Sequence, residues 1–197
     1  MLSFIPFAAV MTVLYWIIAI VRGKRKQISI TKQMISFVFF AYVLVLIGIT
    51  FFPVPIDPEF ITFNRLSENA IHQNWVPFST ISSMLDSSSN NLNSFLNLIG
   101  NILLFAPFSF LLLILKRKIS LKVIPLGILV ILIIELSQLL SSYLYGFTYR
   151  IFDVDDIILN TISLLIGVVL FRVFRIIIKN NTVQRTLRLD KLFSKSQ

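Results

Sequence analysis

The residues able to do chemistry fall at a few helical spacings. Asn97 and Asn101 are four apart, Glu135 and Gln138 three apart, and Asp156 and Asn160 four apart. In a helix each pair shares one face. Arg150, Asp153 and Asp155 precede the last pair within a short stretch. Clustered carboxylates can bind a divalent cation through oxygen, and their repulsion can keep a neighbour protonated. Arg150 can hold one carboxylate as a bidentate pair. Glu135 is the candidate general acid or base. Asp153, Asp155 and Asp156 are candidates for placing a metal or a water, without a firm ligand set. His72 is the only histidine, so a monomer has no multi-histidine metal site; it reads as an exposed loop residue. Cys is absent, which excludes disulfides and thiolate metal sites. Neither G-x-S-x-G nor H-E-x-x-H occurs, and the sequence names no cofactor.

The elements that position these residues must lie in a membrane. Hydrophobic residues make up 56% of the chain and charged residues 14%, with a mean hydropathy of +0.86. Soluble domains are about a quarter charged. The apolar excess is gathered into five runs, roughly 4–21, 34–52, 95–115, 121–144 and 157–178. Each is close to the ~20 residues that cross a bilayer as a helix, and a helix satisfies its own backbone there. None alternates like a barrel strand. The fold expected is an all-α, polytopic bundle of about five transmembrane helices, forming one membrane domain over 1–197.

Charge sets the expected orientation. The 22–33 loop holds Arg22, Lys24, Arg25, Lys26 and Lys32; the link after the third run holds Lys116, Arg117, Lys118 and Lys122. The tail, 179–197, carries Lys179, Arg185, Arg188, Lys191 and Lys195. The 53–94 loop has Arg65 against Asp57, Glu59, Glu68 and Asp86, and the 143–156 loop has Arg150 against three Asp. Short basic loops stay cytoplasmic. The N-terminus is therefore expected outside, the 53–94 loop outside, and the C-terminus inside. The net charge of +9 is explained by basic helix ends that meet anionic lipid, so no nucleic acid is implied. With basic residues after rather than before its apolar core, the first run reads as a retained helix.

Several local features accompany the spans. The prolines at 53, 55 and 58 end the second span in an extended exit. Ser82 to Ser94 reads as a flexible turn. Trp75-Val76-Pro77-Phe78 reads as an aromatic interface anchor. Pro107 lies inside the third run and removes a backbone donor, which allows a kink or a local opening toward the polar cluster; simple structural tolerance of the proline is the alternative reading. Residues 183–193 suit a short interfacial helix or a frayed tail. Under this topology the three polar pairs sit in the outer half of the membrane or at its rim. Glu135 is the deepest, about 12 Å below the outer end of its helix at ~1.5 Å per residue. Ionisable residues at such depth face a partner or a water-filled cavity; inter-helix hydrogen bonding is the structural alternative.

Two segments resemble the VanZ-like family of bacterial membrane proteins. Asn97-Leu98-Ile99-Gly100-Asn101 running to Phe105-Ala106-Pro107-Phe108 is similar to its Asn-x-x-Gly-Asn-hydrophobic-Phe-x-Pro segment. Asp155-Asp156 followed by Asn160-Thr161 is similar to its Asp-Asp-apolar-Asn-Thr segment, with Glu135-Leu136-Ser137-Gln138 as a Glu-x-x-Gln between them. Arg150 falls where the family often has a basic residue, and Asn74-Trp75-Val76-Pro77-Phe78 is a weaker match. The resemblance covers about residues 40–175. Two departures are Ser109 and Ser163, where the family commonly has Gly. The resemblance implies a multi-pass protein of the bacterial cell membrane with a role in susceptibility to glycopeptides such as teicoplanin. It supplies no reaction.

Three functions compete at this stage. The first is a non-enzymatic envelope factor binding an anionic lipid-linked cell-wall intermediate or a lipoglycopeptide. Its pocket would be built from Asn97, Asn101, Glu135, Gln138, Arg150, Asp153, Asp155, Asp156 and Asn160. The second is a membrane-embedded enzyme, metal-dependent or not, acting on a lipid or lipid-linked intermediate through Glu135. A transporter is third, disfavoured by the lack of an inverted repeat.

Overall fold

Long apolar helices and small polar junctions account for the architecture. The computed structural model describes residues 1–26, 28–67, 70–86, 99–116 and 120–180. Five segments among them are long and apolar enough to span a membrane: Phe4–Gly23, Ile30–Phe51, Ile99–Lys116, Val123–Tyr145 and Val154–Ile178. The elements are α1 (Phe4–Lys26), α2 (Ile30–Phe51), α3 (Pro58–Ser67) and α4 (Ser79–Asp86), then α5 (99–104). The described residues continue through α6 (Ala106–Lys116), α7 (Val123–Tyr145) and α8 (Val154–Asn180). No strand forms among the described residues; two isolated bridges join Leu2 to Val54 and Asn74 to Asp153.

The buried core is small and lies where α2, α6, α7 and α8 meet. Leu46, Phe105, Phe108, Ile131 and Leu164 form one cluster; Leu113, Val123, Val168 and Phe171 form another toward the opposite end. Apolar side chains on the outward faces, such as Ile5, Ile49, Leu136 and Val169, are exposed. An apolar surface of that extent marks contact with lipid. α1 has none of its span buried and packs mainly on α2.

The third span is broken rather than merely kinked. Helical structure stops at Phe105 and restarts at Ala106. Pro107 thus stands in the first turn of α6, where a missing N–H costs nothing. The break frees backbone groups that hydrocarbon cannot satisfy, and neighbouring helices supply partners. Ser163 Oγ of α8 accepts the N–H groups of Phe105 and Ala106, each at 2.8 Å. The Tyr42 hydroxyl of α2 donates to the Leu104 carbonyl. Ser109 Oγ donates back to the Leu164 carbonyl at 2.8 Å. The break is a closed junction rather than an opening toward the polar cluster, with Phe105, Ser109 and Ser163 wholly buried. Close approach requires Gly167: a Cβ there would lie 2.1 Å from both the Ala106 carbonyl oxygen and Ser109 Oγ.

The ends of the long helices also differ from the sequence reading. α7 stops at Gly146, at φ 74°, whose N–H returns to the Ser142 carbonyl at 2.9 Å. Arg65 of α3 donates Nε and Nη2 to the Tyr145 carbonyl at 3.1 and 2.9 Å, a cation placed at a helix C-terminus. The described part of the 53–94 stretch contains two helices, α3 and α4, and α4 takes residues 82–86 out of the expected Ser-Asn turn. The last helix begins at Val154 rather than near 157, because Asp153 caps it: its Oδ1 accepts the Asp155 N–H at 2.8 Å, as an N-cap acid does. Asp155 and Asp156 therefore occupy the first helical turn, the favourable end of the helix dipole. The 183–193 segment lies outside the described residues.

Candidate functional site

At the acid-bearing end of the bundle the chain folds back on itself. Asn74 pairs with Asp153 through its backbone, with its N–H to the Phe152 carbonyl at 2.8 Å and its carbonyl taking the Val154 N–H at 3.1 Å. Its side-chain amide donates to Asp153 Oδ1 at 2.8 Å, and its Oδ1 accepts the Ser79 hydroxyl at 2.7 Å. Thr80 Oγ1 donates to Asp153 Oδ2 at 2.7 Å. Asp155 is wholly buried. Its carboxylate accepts the N–H groups of Phe78, of Thr80 at 2.8 Å and of Ile81 at 3.1 Å. A carboxylate holding several backbone donors at the start of α4 acts as a cap supplied from a distant helix. Phe78 sits at φ 66°, a conformation rare for a bulky residue, held by that bond.

This latch reassigns two of the three candidate metal acids. Asp153 and Asp155 spend their oxygens on their own chain. Among the described residues, no three His, Asp or Glu side chains group as a metal-ligand set.

Asp156 and Asn101 are placed differently. Asn101 Nδ2 donates to Asp156 Oδ1, and both line an open cleft of about 470 Å³. His72, Gln73, Asn74, Thr80 and Asp153 form the rest of its polar wall. His72 is exposed, as expected, and its N–H is fixed by Thr148 Oγ1 at 3.0 Å. Beside the cleft the latch presents Trp75, Val76 and Phe78 with their side chains exposed, Trp75 packing on Phe152 at 4.4 Å between ring centroids.

The remaining expected site residues separate. Glu135 is buried beneath Asp153, whose N–H reaches Glu135 Oε2 at 3.5 Å; it does not line the cleft. Gln138 turns away, donating to the Thr50 carbonyl of α2 at 3.4 Å. Asn160 is buried in α8, one turn beyond Asp156, and its Oδ1 has no hydrogen-bond partner. Arg150, which by type can hold a carboxylate, makes no such pair among the described residues. Its Nη2 donates instead to the Phe52 carbonyl at 2.7 Å, and its guanidinium lies 5.5 Å from the Tyr149 ring centroid. The second span ends at Phe51, so nearby carbonyls need donors, and Arg150 and Tyr149 supply them. Burial holds the Tyr149 phenol above its ordinary pKa, opposed by the Arg150 charge. Asn97 lies outside the described residues. Asn74 and Thr80 went unrecognised as site residues; the weak Asn-Trp-Val-Pro-Phe match was the available signal for the first, and Thr80 gave none.

Helices of this length and apolarity, closed by a buried polar junction, define a multi-pass membrane protein with an acidic cleft at one end of its bundle. The chain belongs to the VanZ/LLP1 family, whose model matches residues 39–175. The matched stretch begins in α2 and ends in α8, so it contains both latch and cleft. No curated protein and no solved structure matched the chain.

Proposed function

We propose that this VanZ-like protein acts in the bacterial cell membrane with its N-terminus outside and its C-terminus inside. In that orientation the cleft faces outward and binds the polar part of a lipid-linked cell-wall intermediate or of a lipoglycopeptide. Binding there alters susceptibility to glycopeptides such as teicoplanin. The carrying observation is a division of labour among acids: Asp155 is spent on the latch, Asp153 holds the latch and also lines the cleft, and Asp156 stands at the cleft wall bonded to Asn101. Arg150 does not line that wall, so an anionic ligand group would find no neutralising guanidinium. Hydroxyl, amide and ammonium donors suit a carboxylate and an amide oxygen better. The exposed Trp75 and Phe78 would seat the cleft at the headgroup level, where a lipid-anchored ligand presents its polar part.

The test is a titration of the purified full chain with teicoplanin and, separately, with a lipid-linked peptidoglycan precursor. Saturable binding of one of them, lost in Asp156→Asn, is expected. Absence of binding to both overturns the reading. A buried carboxylate at Glu135, in contact with the backbone of Asp153, supports a second reading as a membrane-embedded enzyme with Glu135 as general acid or base. Formation of a product from the precursor would decide for it.

A further inference from the structure

The opposite end of the bundle holds a second cavity, of about 370 Å³, between α1, α2 and the end of α6. Its polar side is built by Arg22, Lys32 and Gln33, and its apolar side by Tyr15, Ile18 and Leu115. Tyr15 stacks on Phe40 at 4.3 Å, which fixes an aromatic floor. Lys32 and Gln33 lie in the first turn of α2, where the helix dipole adds positive potential. No acid precedes Asp57, and none falls between Asp86 and Glu135. Every segment lining the cavity is therefore free of carboxylates, and among the described residues neither cation has an acidic neighbour there to neutralise it.

We propose that this cavity binds an anionic phospholipid, with the headgroup phosphate between Arg22 and Lys32 and the upper acyl chain along Ile18 and Leu115. Charge complementarity selects the anion, as in basic pockets between membrane helices. The apolar wall selects a lipid over a free anion, because inorganic phosphate gains nothing from Tyr15, Ile18 and Leu115. The cavity lies where helix ends meet water, the depth at which a phospholipid headgroup sits. Its role fits the loosely packed α1, which has none of its span buried: a lipid wedged between α1, α2 and α6 would hold that helix in place. The inference does not depend on what the acidic cleft binds.

The experiment titrates the detergent-solubilised full chain with phosphatidylglycerol and with phosphatidylcholine of identical acyl chains, read by native mass spectrometry. Phosphatidylglycerol should bind more tightly by about thirtyfold, in line with two cations at a membrane surface. The double variant Arg22→Gln, Lys32→Gln should lose that preference, whereas Lys122→Gln, at the same end but outside the cavity, should keep it. Ala19→Trp, which fills the cavity without altering charge, should weaken phosphatidylglycerol binding as strongly. Arg22→Lys with Lys32→Arg preserves charge and should retain the preference, which keeps the test readable if the neutral variant does not fold. Equal binding of the two lipids overturns the proposal. So does an undiminished preference in a folded neutral or Ala19→Trp variant, and so does displacement of phosphatidylglycerol by inorganic phosphate.

Discussion

The Asp155 carboxylate, in the first turn of α8, accepts the backbone N–H of Thr80 at 2.8 Å, across 75 residues of chain. With Phe78 and Ile81 as further donors, this carboxylate decides where the 74–81 segment rests. That segment forms one wall of the cleft, so a residue that does not itself line the cleft sets its shape.

Asp155→Ala should unlatch the segment. Three backbone donors lose their acceptor, and each buried donor left unmade costs about 1–3 kcal/mol. The expected result is a fall in thermal stability together with new protease cleavage near residues 74–81. A variant with unchanged melting and an unchanged digestion pattern would contradict the latch.

The α6–α8 junction gives a graded prediction. Ser163→Ala removes the acceptor for Phe105 and Ala106 and should destabilise by about 1–3 kcal/mol for each donor left unmade. Gly167→Ala should be worse, since its Cβ would meet the Ala106 carbonyl oxygen at 2.1 Å and backbone cannot step aside as a side chain can. Thermal melts in one detergent rank the two. Ser163→Ala less stable than Gly167→Ala would mean that close packing is not the dominant constraint.

Much of this was legible in the sequence. The five spans and their approximate limits follow from apolar runs that no soluble fold would need, and the family from short motifs in order. Spacing along single helices also flagged Asn101 and Asp156. What spacing does not carry is the long-range pairing that turns Asp153 and Asp155 toward residues 74–81. A carboxylate that caps a distant helix looks, in sequence, the same as one that binds a ligand. Arg150 was misassigned for a related reason: the unpaired carbonyl of Phe52 that claims it exists only once the second span has ended. Pro107 was read as an interior proline because the chain break at Phe105 leaves no mark in composition.

Orientation can be tested on a background free of native cysteine. A single cysteine at Leu66 in α3 should react with an impermeant thiol reagent from outside intact cells, and one at Leu121 should not; both positions are exposed. The reverse pattern would place the acidic cleft inside.

Glu135→Gln keeps size and hydrogen bonding and removes any charge from a buried position. We expect it to fold with unchanged or higher thermal stability and to lose function, the pattern of a site that retains a costly group. A well-expressed variant with full function would assign Glu135 to helix packing alone.

The most direct measurement of the central claim compares teicoplanin susceptibility in cells making no protein, the wild-type chain, Asp156→Asn, and a surface control, Glu59→Gln, at equal membrane levels. Asp156 stands at the cleft wall, bonded to Asn101, while Glu59 lies on α3, away from that wall. The account predicts that the wild type and Glu59→Gln shift susceptibility equally and that Asp156→Asn returns cells to the level of those making no protein. Equal shifts from wild type and Asp156→Asn would contradict it.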